Sequence, residues 1–225
     1  MDDPLPPLSS VEARVLGALI EKQITTPDYY PLTLNALVNA CNQLTNREPV
    51  MSLDEADVTS AIDSLRGKRL ATLFSGQESR VAKYKHTLTD ALLLTPAEVA
   101  LLTVLMLRGP QTIGELRTRS ERLFRFDSLP EVEACLKELA GRQPGPLVVK
   151  LPRQPGAKEA RFAHLLSGPV ATMTAVTAIP FEAPPVPPAS EGPDRVAELA
   201  ADVARLDREL AELRQQFTEF RKQLE

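Results

Sequence analysis

From Leu8 to Lys22 the apolar residues Val11, Val15, Leu16, Leu19 and Ile20 recur at three- and four-residue steps, which predicts a helix with one buried stripe. Ser9 followed three residues later by Glu12 is a capping box that starts it. A second stripe, Leu34, Leu37, Val38 and Cys41, predicts a helix capped by Thr33. It runs into Asn42, Gln43, Thr45 and Asn46, whose side chains compete for the backbone, and Pro49 forbids continuation. Ser52 with Glu55 reads as a second capping box, opening a third helix with Leu53, Ala56, Val58, Ala61, Ile62 and Leu65 on its apolar face. After Arg69 the period changes to that of strands. LATLF, a Ser-Gly turn and the alternation Val81, Lys83, Lys85, Thr87 predict a hairpin. Helix, turn, helix with a following hairpin is the outline of a winged helix.

The pattern then recurs. LSSVEARVL from Leu8 is answered by LTPAEVALL from Leu94, LTLNAL from Leu32 by QTIGEL from Gln111, and VTSAIDSL from Val58 by VEACLKEL from Val132. A second hairpin follows in PLVVKLPRQPGAKEARFAHLL, with its turn at Pro155, and His164 falls where His86 fell. Capping boxes recur at Thr95 with Glu98 and at Ser128 with Glu131. The expected fold is mainly α with small β-hairpins (α+β): tandem winged helices over residues 8–90 and 91–168, preceded by a disordered stretch at 1–7. The helix VALLTVLMLRG is apolar around most of its circumference, so it is expected to pack on two sides.

Residues 169–195 are rich in proline and lack periodicity, as in a semi-extended linker. Over 196–225 a strict heptad seam returns in Val196, Leu199, Val203, Leu206, Leu210, Leu213, Phe217, Phe220 and Leu224. Such a narrow stripe with charged flanks predicts a coiled-coil helix and a homodimer.

Composition narrows the function. No apolar run reaches membrane-spanning length, and the acidic, proline-rich start is unlike a signal peptide, so a cytoplasmic protein without a membrane partner is expected. Cys41 and Cys135 lie on apolar helix faces with no metal-type or redox-type neighbour, and read as reduced core residues. The net charge is −1 over residues 8–90, +3 over 91–168 and −4 over 169–225. That balance offers nucleic acid little general attraction. No nucleotide loop, nucleophile elbow or zinc motif is present, so neither catalysis nor a cofactor is expected.

Two clusters remain as binding candidates. Asn42, Gln43, Asn46 and Arg47 offer amides and a guanidinium that suit base edges, against the alternative that amides merely shape the turn. Arg117, Arg119, Arg122 and Arg125 line the second helix of the second half and its exit, the last three at i, i+3 steps that would form one stripe, against the alternative of a solvated face paired with Glu115 and Glu121. Lys150, Arg153, Lys158 and Arg161 decorate the second hairpin. Guanidinium groups there suit phosphate and carboxylate alike. Both third helices begin with acids, Asp54, Glu55 and Asp57 in one and Glu131 and Glu133 in the other. Phosphate would repel them in the position where a winged helix usually reads DNA.

The stretches ACNQ followed by NREPV, then GELRTRSER, LPEVEACLKELA and EARFAHLLSG, resemble the bacterial YceH family over nearly the whole chain, tail included. The resemblance implies a tandem winged-helix fold with a helical tail, and it implies no established activity. Many members carry lysine where this chain has Leu44. The expected function is a non-enzymatic, dimeric adaptor for an unidentified protein partner, analogous in fold to the acidic winged-helix subunits of chromosome-segregation complexes. The alternative is a DNA-binding regulator using hairpin and arginines of the second half. Deleting residues 191–225 is expected to weaken the homodimer in sedimentation; a monomeric full-length protein at micromolar concentration would overturn the coiled coil, and an unchanged dimer after truncation would move the interface to the globular region.

Overall fold

The computed structural model describes residues 6–74, 81–153, 156 and 159–169. These belong to one compact unit. The readings for residues 1–5, for Lys158, for the linker beyond Pro169 and for the heptad seam fall outside the described residues.

Helix α1 (Ser10–Thr25) starts at the expected capping box: Ser9 Oγ accepts from the Glu12 N–H at 3.1 Å and the Glu12 carboxylate accepts from Ser9 N. It is followed by a 3-10 turn (Pro27–Tyr29), a two-residue strand β1 (Leu32–Thr33) and α2 (Leu34–Cys41), capped by Thr33 as expected. Next come α3 (Glu55–Gly67), the strands β2 (Ala71–Phe74) and β3 (Lys83–His86), and a short α4 (Leu88–Leu92). The second half comprises α5 (Pro96–Arg108), α6 (Ile113–Ser120), α7 (Leu129–Gly141), β4 (Val148–Lys150) and β5 (Phe162–His164). The fold is α+β, helices with two small antiparallel sheets.

The first sheet has the order β1-β3-β2, with Tyr84 between Leu32 and Leu73. The second pairs β4 with β5, and Gln111 forms a bridge to Phe162 through bonds of 3.0 and 2.7 Å. Gln111 thus takes the place in the second half that Leu32 takes in the first.

The duplication extends to ion pairs. Lys68, the residue after α3, reaches Glu12 in the first turn of α1 at 2.7 Å; Arg142, the residue after α7, reaches Glu98 in the first turn of α5 at 3.0 Å. All four belong to sequence-equivalent positions. Burial pushes the Glu12 carboxyl up, but Lys68, Ser64 and the Ser9 N–H outweigh it and hold it below the ordinary carboxylate value. His86 and His164 also match in register, opposite Ala71 and Val148. Burial lowers both to a pKa of about 4, so each imidazole is neutral near pH 7.

Four details depart from expectation. Helix α3 starts at Glu55 with Asp54 and Asp57 as its capping box, not Ser52 and Glu55. The carboxamide of Asn42 donates to the Leu53 carbonyl at 2.7 Å and accepts from its N–H at 2.8 Å, which keeps the chain extended there and delays the helix. Ala56 is exposed as a result. At α7 only half of the box forms: Ser128 caps Glu131 N, but the Glu131 carboxylate accepts from Asp127 N instead. The ordered backbone also begins before Leu8, since the Pro7 carbonyl accepts from Lys68 Nζ at 2.9 Å.

Helix α5 is buried from Glu98 to Leu107, packed between α1 on one side and α6, α7 and β5 on the other. Both sides lie within this chain. Gly17 is what lets α1 approach so closely, because a Cβ there would stand 2.9 Å from Leu107 Cδ2 and 3.3 Å from Met106 Cβ. Both halves therefore share one core. Gly17→Val is expected to lower stability by about 1–3 kcal/mol through overpacking, measured by denaturant unfolding. Gly67→Ala, where a Cβ meets nothing within 4 Å, is the neutral or stabilising control.

Candidate functional site

The turn after α2 is held from inside. Arg47 is 5 % exposed, and its guanidinium donates to the Ala40 carbonyl (3.1 and 2.9 Å), to the Glu21 carboxylate (3.1 and 2.5 Å), to the Asn46 carbonyl (2.9 Å) and to Gln43 Oε1 (3.0 Å). Nothing of it is left for a base edge. Asn42 is the C-cap of α2 and spends its amide on Leu53. Asn46 adopts a left-handed conformation with φ of 63°, which asparagine tolerates. Arg14, 1 % exposed, ties the same turn to α1 by donating to the carbonyls of Cys41 (3.0 Å) and Pro49 (2.5 Å). Burial first, and then the nearby Arg47 charge, lower its pKa. Burial also pushes the Cys41 thiol up to about 12, in keeping with a packing role.

The arginine stripe expected over Arg119, Arg122 and Arg125 does not form on one helix. Helix α6 stops at Ser120, whose carbonyl accepts from both Leu123 N (2.7 Å) and Phe124 N (2.8 Å), and the Phe124 and Phe126 rings stack edge to face beyond it. Arg117 clamps that exit through the carbonyls of Phe126 (3.3 Å) and Asp127 (3.0 Å). Arg119 bonds Gln111 and pairs with Glu115 at 3.5 Å, and Arg161 bonds the Pro110 carbonyl and Glu115 at 2.8 and 2.9 Å. Arg122, Arg125, Lys150 and Arg153 remain exposed, Lys150 lying 5.9 Å above the Phe162 ring.

What the fold does bring together is one end of each cluster. Gln43, Thr45 and Asn46 face Arg119 and Arg122 across a cleft of about 500 Å³. The C-terminal turn of α1 adds Glu21 and Lys22, and the C-terminal turn of α5 adds Arg108. Arg108 donates to Asn46 Oδ1. Its pKa is lowered by burial and then by the positive charge of Arg119. Val104, Leu107 and Leu123 supply apolar wall. Lys22 and Arg108 escaped the sequence reading. Arg108 carried a signal: it is the one charge in VALLTVLMLRG, placed just before a glycine that ends the helix.

The exposed starts of α3 and α7 carry Asp54, Glu55, Asp57, Glu131 and Glu133. Among the described residues no cluster of His, Cys, Asp and Glu could hold a metal ion. No helix among them is long and apolar enough to cross a membrane.

By architecture this is an α+β protein, helices with two small antiparallel sheets, and a cation-lined cleft opens among the ends of α1, α5 and α6 and the turn after α2. The chain belongs to the family DUF480, described as a protein of unknown function, which matches residues 8–157. It is similar to a UPF0502 protein of Opitutus terrae, 57% identical over 205 residues, 91% of this chain and 85% of that one. A UPF0502 protein of Geobacter sulfurreducens is 51% identical over 218 residues, 97% of this chain and 98% of its own. Another, of Vibrio campbellii, is 49% identical over 201 residues, 88% and 90% of the respective chains. The motifs from ACNQ to GELRTRSER thus pointed to the right kind of family, an uncharacterised bacterial one.

Arg47 and Arg122 are expected to part company on mutation. Arg47→Gln strands the Glu21 carboxylate and the Ala40 carbonyl and should cost about 3 kcal/mol, whereas Arg122→Gln should stay within about 0.5 kcal/mol of wild type. Urea unfolding of the two variants checks this.

Proposed function

We propose that residues 8–90 and 91–168 are tandem winged helices acting as a non-enzymatic protein-interaction module, paired into a homodimer by the heptad run of 196–225. The equivalent ion pairs Glu12–Lys68 and Glu98–Arg142 and the matched hairpin registers support the duplication. One observation carries the interaction role. The third helix of each half, the element a winged helix usually offers to the major groove, opens with exposed acids, Asp54, Glu55 and Asp57 in α3 and Glu131 and Glu133 in α7. Duplex DNA carries one negative charge per ~1.7 Å of axis, so these starts would meet repulsion. Of the second half's candidate arginines, Arg117, Arg119 and Arg161 are engaged by internal acceptors, which weakens the counter-argument from net charge. The partner suited to these surfaces presents lysine and arginine.

A second reading, a DNA-binding regulator, draws support from Arg122, Arg125, Lys150 and Arg153, which stay exposed. Titration of labelled random-sequence duplex at two salt concentrations separates the readings. Weak binding near physiological salt is expected, together with loss of crosslinked partner on substituting Asp54→Asn, Glu55→Gln and Asp57→Asn. Submicromolar, steeply salt-dependent duplex binding, abolished when Arg122, Arg125 and Arg153 are changed to glutamine, would overturn the proposal.

A further inference from the structure

We infer that the cleft between the turn after α2 and the end of α6 is a binding site for a phosphorylated small molecule of about mononucleotide size. Four cations line it, Lys22, Arg108, Arg119 and Arg122, against the carboxylates of Glu21 and Glu121. Glu21 is already bound to the buried Arg47, so it neutralises little of that charge. Arg119 has Glu115 as a carboxylate partner, at 3.5 Å, while among the described residues Arg108 bonds the neutral carboxamide of Asn46. Arg122 makes no hydrogen bond or ion pair with the described residues. The guanidinium groups come from separate elements, α5, α6 and the turn after α6, and line one cleft. The Arg108 proton affinity is lowered by burial and then by Arg119, which outweigh the opposing carboxylates of Glu21 and Glu48.

Positive charge gathered in a concave, partly buried place lined by more cations than carboxylates is relieved by an anion. A phosphate, with oxygens that accept from several forked donors at once, fits better than a single carboxylate. The hydroxyls nearby are not competitors for this role, because those of Thr25, Thr26 and Thr118 donate to carbonyls in the preceding turns of their helices. Val104, Leu107 and Leu123 give an organic body an aliphatic wall, and a volume near 500 Å³ lies within the usual range of ligand pockets, about 300–1,000 Å³. The site is independent of the acidic faces of α3 and α7, so it stands or falls apart from the adaptor reading.

The test is calorimetric titration of the full-length chain with ADP and with inorganic pyrophosphate, at low and at physiological salt. One saturable site per chain is expected, with affinity reduced about tenfold or more in Arg119→Gln and Arg122→Gln. The double variant Arg125→Gln with Arg153→Gln removes exposed charge elsewhere and should bind within about twofold of wild type. Far-UV circular dichroism of Arg119→Gln and of the exposed Arg122→Gln is expected to match wild type, and Arg122→Gln carries the test should Arg119→Gln unfold. Absence of saturable binding by either probe up to ~1 mM would overturn the inference. So would an equal loss in the control double variant, which marks unspecific attraction. Binding of duplex but not of ADP, lost in Arg122→Gln, would overturn it in favour of a nucleic-acid phosphate.

Discussion

The contact of α1 with α5 governs the structure. Each is the first helix of its half, and in an isolated three-helix unit one side of each would face water. Here Gly17 removes the side chain that would hold the helices apart, and Leu107 and Met106 fill the space. The apolar circumference of α5 follows from this, since a helix buried on two sides has no face on which charge is cheap. The position of the cleft follows as well. The last turns of α1 and α5 line it, and the turn after α2 and the end of α6 form its other walls.

The polar interior obeys a related constraint. Arg14 and Arg47 are almost wholly buried and donate to the carbonyl oxygens of Ala40 and Cys41 at the end of α2 and of Asn46 and Pro49 in the chain segment between α2 and α3, a segment with no regular structure of its own. Backbone acceptors in such a segment must find donors or stay exposed to water. Two guanidinium groups give it shape that neither helix nor sheet supplies. The second half has no such device, because Ala100 stands where Arg14 stands in the first, and its corresponding connection is tightened by α6 ending at Ser120 and by Arg117. The halves share their ion pairs and hairpin registers but stabilise their turns by different chemistry.

Local rules were readable and convergence was not. The capping boxes at Ser9 and Thr95, the cap at Thr33, and the burial of Cys41 and Cys135 are carried by residues within a few positions of one another. The start of α3 was misjudged because its determinant, the Asn42 carboxamide, lies eleven residues from the Leu53 it holds. The strand β1, two residues long, has too little pattern to detect. The arginine stripe failed because α6 ends without glycine or proline to announce it. Of the candidate residues, Gln43, Asn46, Arg119 and Arg122 do meet around one cleft, yet nothing in their spacing could reveal that Lys22 and Arg108 join them.

A shared core changes what duplication means for this chain. Tandem domains on a tether can lose one copy and keep the other working, and each can drift in sequence at its own pace. Here α1 is lining for the second half and α5 for the first, so the two copies are interlocked as one cooperative folding unit. Unfolding should be communicated across the whole described region in a single transition, and selection on either half constrains the other at the helix faces they exchange.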